Sequence, residues 1–442
     1  MDAPFDLSTA TREDLLGVIT AQQTTIAALE RRIADLERRL GSSGGKPMPG
    51  TKAHQPPASP PRPRKPRPHG FARTRATPTA RVVHAVERCP DCDTRLQGGW
   101  VKRRREVIDT PVVPVQVIEP VFVQRQCPCC GRRCLPTDAL RGVVAGRQRL
   151  GVGLVSLLTT LREEHRLPVR TIQAYLRTVH HLQLSVGAIV AAGQRVAVAG
   201  TPAVQAIRDQ IRAGPAVAAD ETGWRENGRN GYIWTFSTPT ERYFVRRGRH
   251  KEVVDEVLGE SFSGVIGCDF YAGYHHYAGR KQRCWAHLLR DIHDLTQLSP
   301  RDEALQTWAT AVQRLFKRAQ RYGHADARVR LRAQQRYEQA LLALCTPFCD
   351  DLLAVQRKLC RRIERFCTEL FVFVAEPDVP ADNNGAERSL RHLVTSRKIS
   401  GGTRSPLGTT TKTTLASLFG TWRARGLDPL HQCRLLLTSP QV

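Results

Sequence analysis

Two short apolar runs that each end on an aspartate constrain the fold of this 442-residue chain more than any other feature. The first run ends at Asp220 in the string PAVAADETGW, and the second ends at Asp269 in the string SGVIGCDFYAGY. Short apolar runs bounded by turn-forming residues are typical of strands buried on both faces. The sequence therefore predicts two buried strands, each carrying a carboxylate at its carboxyl end.

The segments around these runs predict further strands and one helix. The strings GYIWTF and RYFVRR flank the turn STPTE as a hairpin, and HKEVVDEVLG has the period of a short amphipathic helix. The order strand, strand, strand, helix, strand is the one that opens a ribonuclease H-like fold. In that fold the first and fourth strands are neighbours, so we expect Asp220 and Asp269 to lie side by side.

Neighbouring carboxylates repel each other, and both stay ionised at neutral pH only when a cation lies between them. Mg²⁺ (or Mn²⁺) suits such a site because it binds a few carboxylates and keeps water and phosphate oxygens as its other ligands. Two such ions activate a water or hydroxyl and stabilise the leaving oxygen during phosphoryl transfer. The alternative is that each aspartate only caps the turn that follows its strand.

A third acidic ligand is expected in the string VPADNNGAERSLRHL. Glu387 lies one turn into a predicted helix, and Asp382 is the competing candidate. The spacing of Asn384 and Glu387 also suits a helix capping box, and Glu387 is placed to pair with Arg391 one turn later. The residue pattern by itself leaves these alternatives open.

Two Cys-x-x-Cys pairs indicate a metal site nearer the amino terminus. The pairs are Cys89 with Cys92 and Cys127 with Cys130. Four thiolates in this arrangement suit a tetrahedral, structural Zn²⁺, and the alternating residues between the pairs predict the strands of a zinc ribbon. Cys129 and Cys134 leave the ligands of the second pair open, and the alternative to zinc is a set of buried free thiols.

Heptad spacing of apolar residues near the amino terminus predicts a coiled coil. One seam position holds Ile19, Ile26, Ile33 and Leu40, and the other holds Leu15, Gln22, Leu29 and Leu36. β-Branched residues at one position with leucine at the other favour a parallel two-stranded coiled coil, which predicts a homodimer or a higher oligomer. The alternative is one amphipathic helix that packs on its own chain.

A helical segment is predicted between the cysteine pairs and the first aspartate. The string LPVRTIQAYLRTVHHLQLSVGAIVAAGQRVA predicts two helices joined by a short turn, with Ser185 as the N-cap of the second helix. This pattern suits a DNA-binding helix-turn-helix and a plain helical hairpin equally well. The formal net charge of +26 favours a polyanionic partner, and nucleic acid is the commonest polyanion in a cell.

No segment predicts export or membrane insertion. The first forty residues are charged and lack an apolar signal region, and the apolar run LGVGLVSLLTTL is too short to span a bilayer. We therefore expect a cytoplasmic protein that associates with the nucleoid when it acts. Its 13 cysteines are then expected to be thiols or metal ligands. Those expected to be core thiols are Cys345, Cys349, Cys360 and Cys367.

Together these features predict a multidomain α/β protein. The expected segments are a coiled-coil helix (1–40), a disordered basic proline-rich linker (41–80), a zinc ribbon (81–140), a helical DNA-binding segment that resembles helix-turn-helix (141–210), the first part of a ribonuclease H-like catalytic core (211–299), an all-helical insertion (300–375) and the second part of the core with the C-terminal tail (376–442). The insertion is inferred from the long interval between Asp269 and Glu387.

The chain resembles the DDE transposases of the insertion sequence 66 family. The matching strings are ADETGW, CDFYAGY, CWAHLLRDIHDL and DNNGAERSLRHLVTSRKISGGTRS, and they occur in the family's order. The resemblance implies that Asp220, Asp269 and Glu387 form the catalytic triad, and it therefore selects Glu387 over Asp382. It also implies metal-dependent cleavage and strand transfer, with the ends of the element and the target DNA as partners.

Four further residues are candidates for places near the active site. Cys284 and His287 form a Cys-x-x-His motif that resembles one found in several DDE transposase families, although a packed core histidine is the alternative. Arg388 and Arg391, beside the third acid, are candidates for contacts with DNA phosphates or form a solvated basic face. The rival interpretation of the chain is a non-enzymatic, zinc-containing DNA-binding regulator derived from a transposase.

Overall fold

The computed structural model describes residues 11–41, 77–108, 115–136, 139–144 and 148–439. It divides into two compact units, Met1–Pro111 and Val112–Val442, and the boundary falls inside the segment predicted as a zinc ribbon. Most of the predicted basic linker, residues 42–76, lies outside the described residues. Each unit is described by itself below.

The first unit contains one long helix, α1 (Arg12–Gly41). The apolar seam side chains described on α1 are between 49% and 57% exposed; they are Ile19, Ile26, Leu29 and Ile33. Other seam side chains lie outside the described residues; they are Leu15, Leu36 and Leu40. A half-exposed apolar stripe is the surface that a self-associating helix needs, and the coiled coil stays a prediction.

The strands predicted between the two cysteine pairs are absent from the described residues. The described stretches 101–108 and 115–124 contain neither strand nor helix, and the second unit begins its regular structure with a short antiparallel pair, β1 (Arg125–Gln126) and β2 (Arg133–Cys134). Apolar side chains of the described stretches are not buried, since Val107 and Val117 are 78% and 92% exposed. The alternating pattern was therefore a wrong guide to strands here.

Four helices follow in the second unit: α2 (Val152–Glu163), α3 (Val169–His180), α4 (Val186–Ala199) and α5 (Thr201–Ala213). Ser185 is the N-cap of α4, as predicted, and its Oγ accepts the N–H of Ala188 at 3.1 Å. A DNA-reading helix exposes polar or basic side chains, but the exposed large side chains of α4 are Val186, Val190 and Val198. This apolar surface favours the plain helical hairpin, and the DNA-binding role of the segment stays a prediction.

The centre of the second unit is a five-stranded mixed sheet. Its strands are β3 (Ala216–Glu226), β4 (Arg229–Ser237), β5 (Arg242–Arg247), β6 (Val265–Cys268) and β7 (Lys281–Arg283), and their spatial order is β5-β4-β3-β6-β7. β3, β4 and β5 form an antiparallel meander, and β3 pairs in parallel with β6. A short helix, α6 (Val253–Leu258), connects β5 to β6. The predicted order of three strands, a helix and a fourth strand is thus observed.

Helices account for most of the remaining regular structure. They are α7 (Trp285–Leu298), α8 (Glu303–Gln320), α9 (Ala327–Cys349), α10 (Arg357–Phe366), α11 (Val372–Ala375), α12 (Asn384–Ser400), α13 (Pro406–Ala424) and α14 (Pro429–Thr438). Helices α8 to α11 occupy the interval predicted as an all-helical insertion. In the described part of the chain, no helix has the length and apolar character needed to cross a membrane.

The helical insertion shares an apolar core with α7. This core includes Trp308 and Leu341 from the insertion, and it extends to Trp285 and Ile292 of α7. The predicted core thiols are all buried; they are Cys345, Cys349, Cys360 and Cys367. Because α7 shares this core, the insertion supports the helix that carries the Cys-x-x-His motif.

Candidate active site

The register of β3 and β6 brings the two aspartate-bearing strand ends together. Ala216 pairs with Val265 and Ala218 pairs with Gly267 in a parallel ladder. Asp220 and Asp269 each lie two residues beyond the last of these pairs, at the same end of the sheet. Parallel strands keep a constant register, so the two aspartates lie at the same end of neighbouring strands, as the strand order predicts.

Glu387 belongs to α12, which packs on the face of the sheet where Asp220 lies. This packing is apolar and joins Trp224, Ile233 and Phe244 of the sheet to Leu390 and Leu393 of α12 and Ala416 of α13. Asp220 lies on this face because it is four residues before Trp224 and strand side chains alternate with a period of two. The negative charges of Asp269 and Glu387 both act on Asp220. The three predicted carboxylates therefore share one electrostatic environment.

The pKa of Asp220 reflects its burial and its acidic neighbours. Burial, followed by the neighbouring charges of Glu221, Asp269 and Glu387, raises the pKa of Asp220 to about 7, although the Glu221 N–H partly stabilises the carboxylate. That N–H donates to Asp220 Oδ1 at 2.9 Å. A group of oxygen ligands that repel one another in this way suits a hard divalent cation.

The start of α12 distinguishes Glu387 from its competitor Asp382. Asp382 Oδ1 accepts the N–H of Asn384 at 3.1 Å, so Asp382 helps to begin the helix. The N-cap residue is Asn383 and its side chain forms no cap hydrogen bond. The capping box that paired Asn384 with Glu387 is therefore wrong, because it needs the N-cap residue and the third helical residue. Glu387 contacts His287 instead, with 3.7 Å between Oε1 and Nδ1.

Asn383 connects three parts of the site, and sequence reasoning did not single it out. Its Nδ2 donates to the carbonyl of Ala219, the residue before Asp220, at 2.7 Å, and its backbone N–H donates to Cys284 Sγ at 3.1 Å. Only 1% of Asn383 is exposed. A buried amide with these partners fixes β3, the Cys-x-x-His motif and the start of α12 relative to one another. The sequence feature that could have identified Asn383 is its position in the string DNN, one residue after Asp382.

Cys284 and His287 lie beside the third acid. Cys284 Sγ, a ring nitrogen of His287 and a carboxylate oxygen of Glu387 all lie within 4.8 Å of one another. Burial raises the pKa of the Cys284 thiol, which favours its protonated form and a structural role. Within the described part of the chain, His287 Nδ1 and Glu387 Oε1 are buried without a hydrogen-bond partner. Buried polar atoms without a hydrogen-bond partner are consistent with a site that binds a ligand.

A second cluster lies behind the sheet, on the face opposite Asp220, and sequence reasoning missed it. The Glu221 side chain is only 4% exposed and accepts from Arg249 Nη2 at 2.9 Å and from the Tyr274 hydroxyl at 3.0 Å. The guanidinium of Arg249 lies 3.8 Å from the centre of the Tyr271 ring, and the Tyr271 N–H donates to Asp269 Oδ1 at 2.9 Å. The cluster thus ties the end of β3 to the segment after β6.

The backbone at Asp269 is held by a fully buried cation. Arg283, the last residue of β7, donates from Nη1 to the Asp269 carbonyl at 2.7 Å and from Nε to Glu369 Oε2 at 2.6 Å. Glu369 comes from the helical insertion, between α10 and α11. The insertion therefore contributes, through Arg283, to the position of the second aspartate.

The two candidate DNA-contacting residues are exposed near the third acid. Arg388 and Arg391 are both exposed on α12. They follow Glu387 by one and four residues, so they lie within about one helical turn of it. This places two permanently cationic side chains beside the third acid.

The two cysteine pairs form turns of the same design in their separate units. In the first turn, the Cys89 N–H donates to the Thr94 carbonyl and the Asp93 N–H donates to the Cys89 carbonyl, each at 2.9 Å; Asp93 has φ 55°. In the second turn, the Cys127 N–H donates to the Arg132 carbonyl at 2.8 Å and the Gly131 N–H donates to the Cys127 carbonyl at 2.9 Å; Gly131 has φ 69°. Each turn returns the chain tightly around its first cysteine.

Local hydrogen bonds also favour thiolates in both turns. The Thr94 hydroxyl and backbone N–H lower the pKa of Cys92, and the backbone N–H groups of Cys130 and Cys129 lower the pKa of Cys127. A thiolate is the form that binds a metal ion.

Comparison with known proteins finds one matching family model and two curated relatives. The family model described as Transposase IS66 family matches residues 147–411. The uncharacterized protein y4qI of Sinorhizobium fredii is 26% identical over 272 residues, which are 52% of this chain and 49% of that protein. The uncharacterized protein y4jO of the same organism is 31% identical over 157 residues, 35% of this chain and 46% of that protein.

The chain spans about half the length of the curated relatives it matches. The family match covers residues 147–411, which is more than half of this chain. It runs from the beginning of the helical segment to α13 and so includes the whole mixed sheet, both aspartates and Glu387. The chain belongs to the IS66 family of transposases.

Proposed function

We propose that this protein is a DDE-type DNA transposase that cleaves DNA at the ends of an insertion sequence and transfers the strand to target DNA. The observation that carries the proposal is the convergence of Asp220, Asp269 and Glu387 at one end of a sheet. Membership of a transposase family supports the same reaction class and implies DNA binding. The strand order β5-β4-β3-β6-β7 supports a ribonuclease H-like core.

The three carboxylates would hold Mg²⁺ or Mn²⁺. Their fit to such ions rests on three features: hard oxygen donors, the raised pKa of Asp220, and a buried Glu387 oxygen without a hydrogen-bond partner. When bound there, two divalent ions lower the pKa of an attacking water or 3′-hydroxyl and offset the charge that develops on the phosphate.

The protein's own residues would position the ligands and the DNA. Asn383 holds the end of β3 against the start of α12, so that Asp220 and Glu387 keep a fixed relation. The Glu221–Arg249–Tyr274 cluster holds the ends of β3 and β6 from behind. Arg388 and Arg391 would bind phosphates of the scissile strand, which keeps the phosphodiester against the carboxylates.

Other parts of the chain would supply assembly and further DNA contacts. The half-exposed stripe of α1 supports self-association, so we propose a homodimer or higher oligomer. Both cysteine turns favour thiolates, which supports one structural Zn²⁺ bound by four cysteines, namely Cys89, Cys92, Cys127 and Cys130. The net charge of +26 supports binding to DNA as a polyanion.

Cleavage of DNA that carries the ends of the element tests the proposal. The full chain is incubated with this DNA in Mg²⁺, in Ca²⁺ or without divalent ions, and both binding and strand cleavage are measured. We expect binding in all three conditions and cleavage only in Mg²⁺, because Ca²⁺ seldom supports the in-line geometry that the reaction needs. Binding without cleavage in Mg²⁺ would instead favour a non-enzymatic regulator.

A further inference from the structure

A cavity of about 400 Å³ lies at the far end of α12 from Glu387. It is enclosed by α2, α4, α13 and the loop that joins α12 to α13, all within the second unit. Its inner wall is apolar and includes Leu158, Ile189 and Leu415, while Val190 and Ile399 reach its mouth and remain 41% and 47% exposed. Exposed apolar side chains around a cavity are typical of a binding site.

The charged side chains of the cavity are mostly cationic. Arg162, Arg166 and Arg404 line it, and Arg404 is exposed. Arg166 has a left-handed backbone, with φ 61°, and its Nε donates to His392 Nδ1 at 3.3 Å. That hydrogen bond fixes the guanidinium while its other nitrogens stay available for an anion.

The acid that lines the cavity is already paired. Glu163 is buried and accepts from Lys412 Nζ at 2.7 Å. Burial by itself would raise the pKa of Glu163, but Lys412 and His392 lower it to about 2. Because the Glu163 charge is neutralised by Lys412, the three arginines leave the cavity with an excess of positive charge.

The loop at the mouth is rigidly attached to the sheet. Thr403 N–H donates to the Arg225 carbonyl at 2.9 Å, and Trp224 Nε1 donates to Thr403 Oγ1 at 3.0 Å. Gly402 lies so close to Arg225 that any side chain there would collide with its carbonyl, and φ 121° also requires glycine. Arg404, directly after this anchored loop, is therefore held at the rim.

A row of exposed cations connects the carboxylates with the cavity. Arg388, Arg391 and Lys398 lie on α12 at intervals of three and seven residues, which places them on one helical face. At about 1.5 Å per residue, the row extends about 15 Å from the Glu387 end of α12 toward Ile399 at the mouth. Its direction and length suit a strand of DNA that passes the carboxylates and reaches the cavity.

We propose that the cavity binds one unpaired nucleotide of a DNA strand, with the base against the apolar wall and the adjacent phosphates on the rim arginines. The volume lies within the range of small-ligand pockets, and a base that leaves its stack is held by apolar contacts on its faces. The proposal rests on the proposed function for its choice of DNA. A free mononucleotide has the same chemistry, so the experiment must separate these two sources.

Two glycines of α4 provide a matched pair of variants. Gly193 lines the cavity, and a Cβ there would meet Leu415 Cδ1 at an ordinary 3.6 Å, so Gly193→Leu fills the cavity without a backbone clash. Gly187 is on the same helix, outside the cavity lining, and its Cβ would meet only Ser185 Oγ at 3.8 Å. Both changes remove a helical glycine, so Gly187→Leu controls for effects on the helix.

The test measures affinities of the full-length protein, without added Mg²⁺, for single-stranded dT₁₀, for a blunt paired duplex of ten base pairs, and for free dTMP. We expect Gly193→Leu to weaken dT₁₀ binding about tenfold, the effect of losing one stacked base, and to leave duplex binding and the unfolding temperature within the range of Gly187→Leu. We expect Arg404→Gln to weaken dT₁₀ binding more than Arg170→Gln, which changes an exposed arginine of α3 outside the lining.

Two results would overturn the inference. Equal affinity of Gly193→Leu and Gly187→Leu for dT₁₀ would exclude the cavity as a nucleotide site. Binding of dTMP as tight as that of dT₁₀, with the same loss in Gly193→Leu, would assign the cavity to a free nucleotide instead of a strand. The test measures binding and no cleavage. Loss of the proposed catalytic function would therefore leave the measured affinities unchanged, and normal cleavage would not make up for a cavity that fails to bind dT₁₀.

Discussion

The carboxylate site and the cysteine turns are both proposed metal sites, but the protein supports them differently. Around the carboxylates, Asn383 and Arg283 are fully buried and hydrogen-bonded to the segments that carry the aspartates. Beside the cysteine turns, Val107 and Val117 remain mostly exposed. The strands described in this region, β1 and β2, have two residues each. We infer that packing preorganises the first site, whereas the second depends on its metal for order.

The largest effect is expected from neutralising the carboxylates. Asp220→Asn, Asp269→Asn and Glu387→Gln should each lower DNA cleavage by about 10³-fold or more while DNA binding is retained, since groups that act as a unit are each needed. Asp382→Asn is the matched control, because Asp382 begins α12 and its amide oxygen still accepts the Asn384 N–H. Cleavage is measured on DNA with the element's ends. Normal cleavage by any of the first three variants would remove that residue from the site.

Removal of zinc tests whether the region of the cysteine turns depends on its metal ion for order. Chelation should make residues 81–140 sensitive to protease, while the fragment that contains the sheet and its helices survives, because that fragment has its own buried core. Metal content and limited proteolysis with mass spectrometry measure both outcomes. A purified protein without zinc, or continued protection of residues 81–140 after chelation, would show that the cysteines are ordinary thiols.

Removal of one partner of the buried ion pair between Glu163 and Lys412 tests how much this pair stabilises the core. Lys412→Met leaves Glu163 buried without its cation and should lower the free energy of unfolding by about 3–5 kcal/mol. Glu163→Gln combined with Lys412→Met should recover part of this loss, because the uncompensated charge is gone. Chemical denaturation of the unchanged protein and of these two variants gives the values. Equal stability of the single Lys412 variant and the unchanged protein would contradict the pair's role.

The same pair predicts a dependence on pH. The pKa of Glu163 is lowered from 4.5 to about 2 in the folded protein, so its contribution to stability is complete above 4.5 and is lost as the pH falls toward 2. The stability difference between the unchanged protein and Glu163→Gln should therefore shrink between pH 6 and pH 3. A difference that stays constant over this range would mean that the charge of Glu163 is not responsible.

A smaller effect is expected from the cluster behind the sheet. Tyr274→Phe removes one hydrogen bond to Glu221, worth about 1 kcal/mol, and should raise the Mn²⁺ concentration needed for half-maximal cleavage several-fold with little change in the maximal rate. Tyr277→Phe is the control, because Tyr277 is also buried but its hydroxyl meets the Phe262 carbonyl, away from Glu221. An equal shift in both variants would show a general loss of packing instead of a positioning role for Glu221.

Local patterns in the sequence predicted much of the core and of the site. The apolar runs before Asp220 and Asp269, the N-cap at Ser185 and the buried cysteines of the insertion follow from neighbours within a few residues. The choice of Glu387 as the third proposed catalytic acid came from resemblance to a family, since local spacing left Glu387 and Asp382 as alternatives.

The remaining features depend on contacts between distant parts of the chain. Asn383 binds the carbonyl of Ala219, 164 residues earlier, and Glu221 is neutralised by Arg249, 28 residues later. No local period predicts such pairs, because strand register and helix packing decide them. The strand pattern around Val117 failed because alternation predicts a strand only when one face is buried, and the apolar side chains described there are exposed.

Mn²⁺ binding to the full-length, zinc-loaded protein, measured by electron paramagnetic resonance, tests the central claim most directly. The claim is that Asp220, Asp269 and Glu387 form one preorganised site for divalent ions. We predict that the unchanged protein and Asp382→Asn bind Mn²⁺ with the same affinity and that Asp269→Asn binds it at least about tenfold more weakly, as expected when one charged ligand is lost. Mn²⁺ binding by Asp269→Asn equal to that of the unchanged protein would contradict the claim.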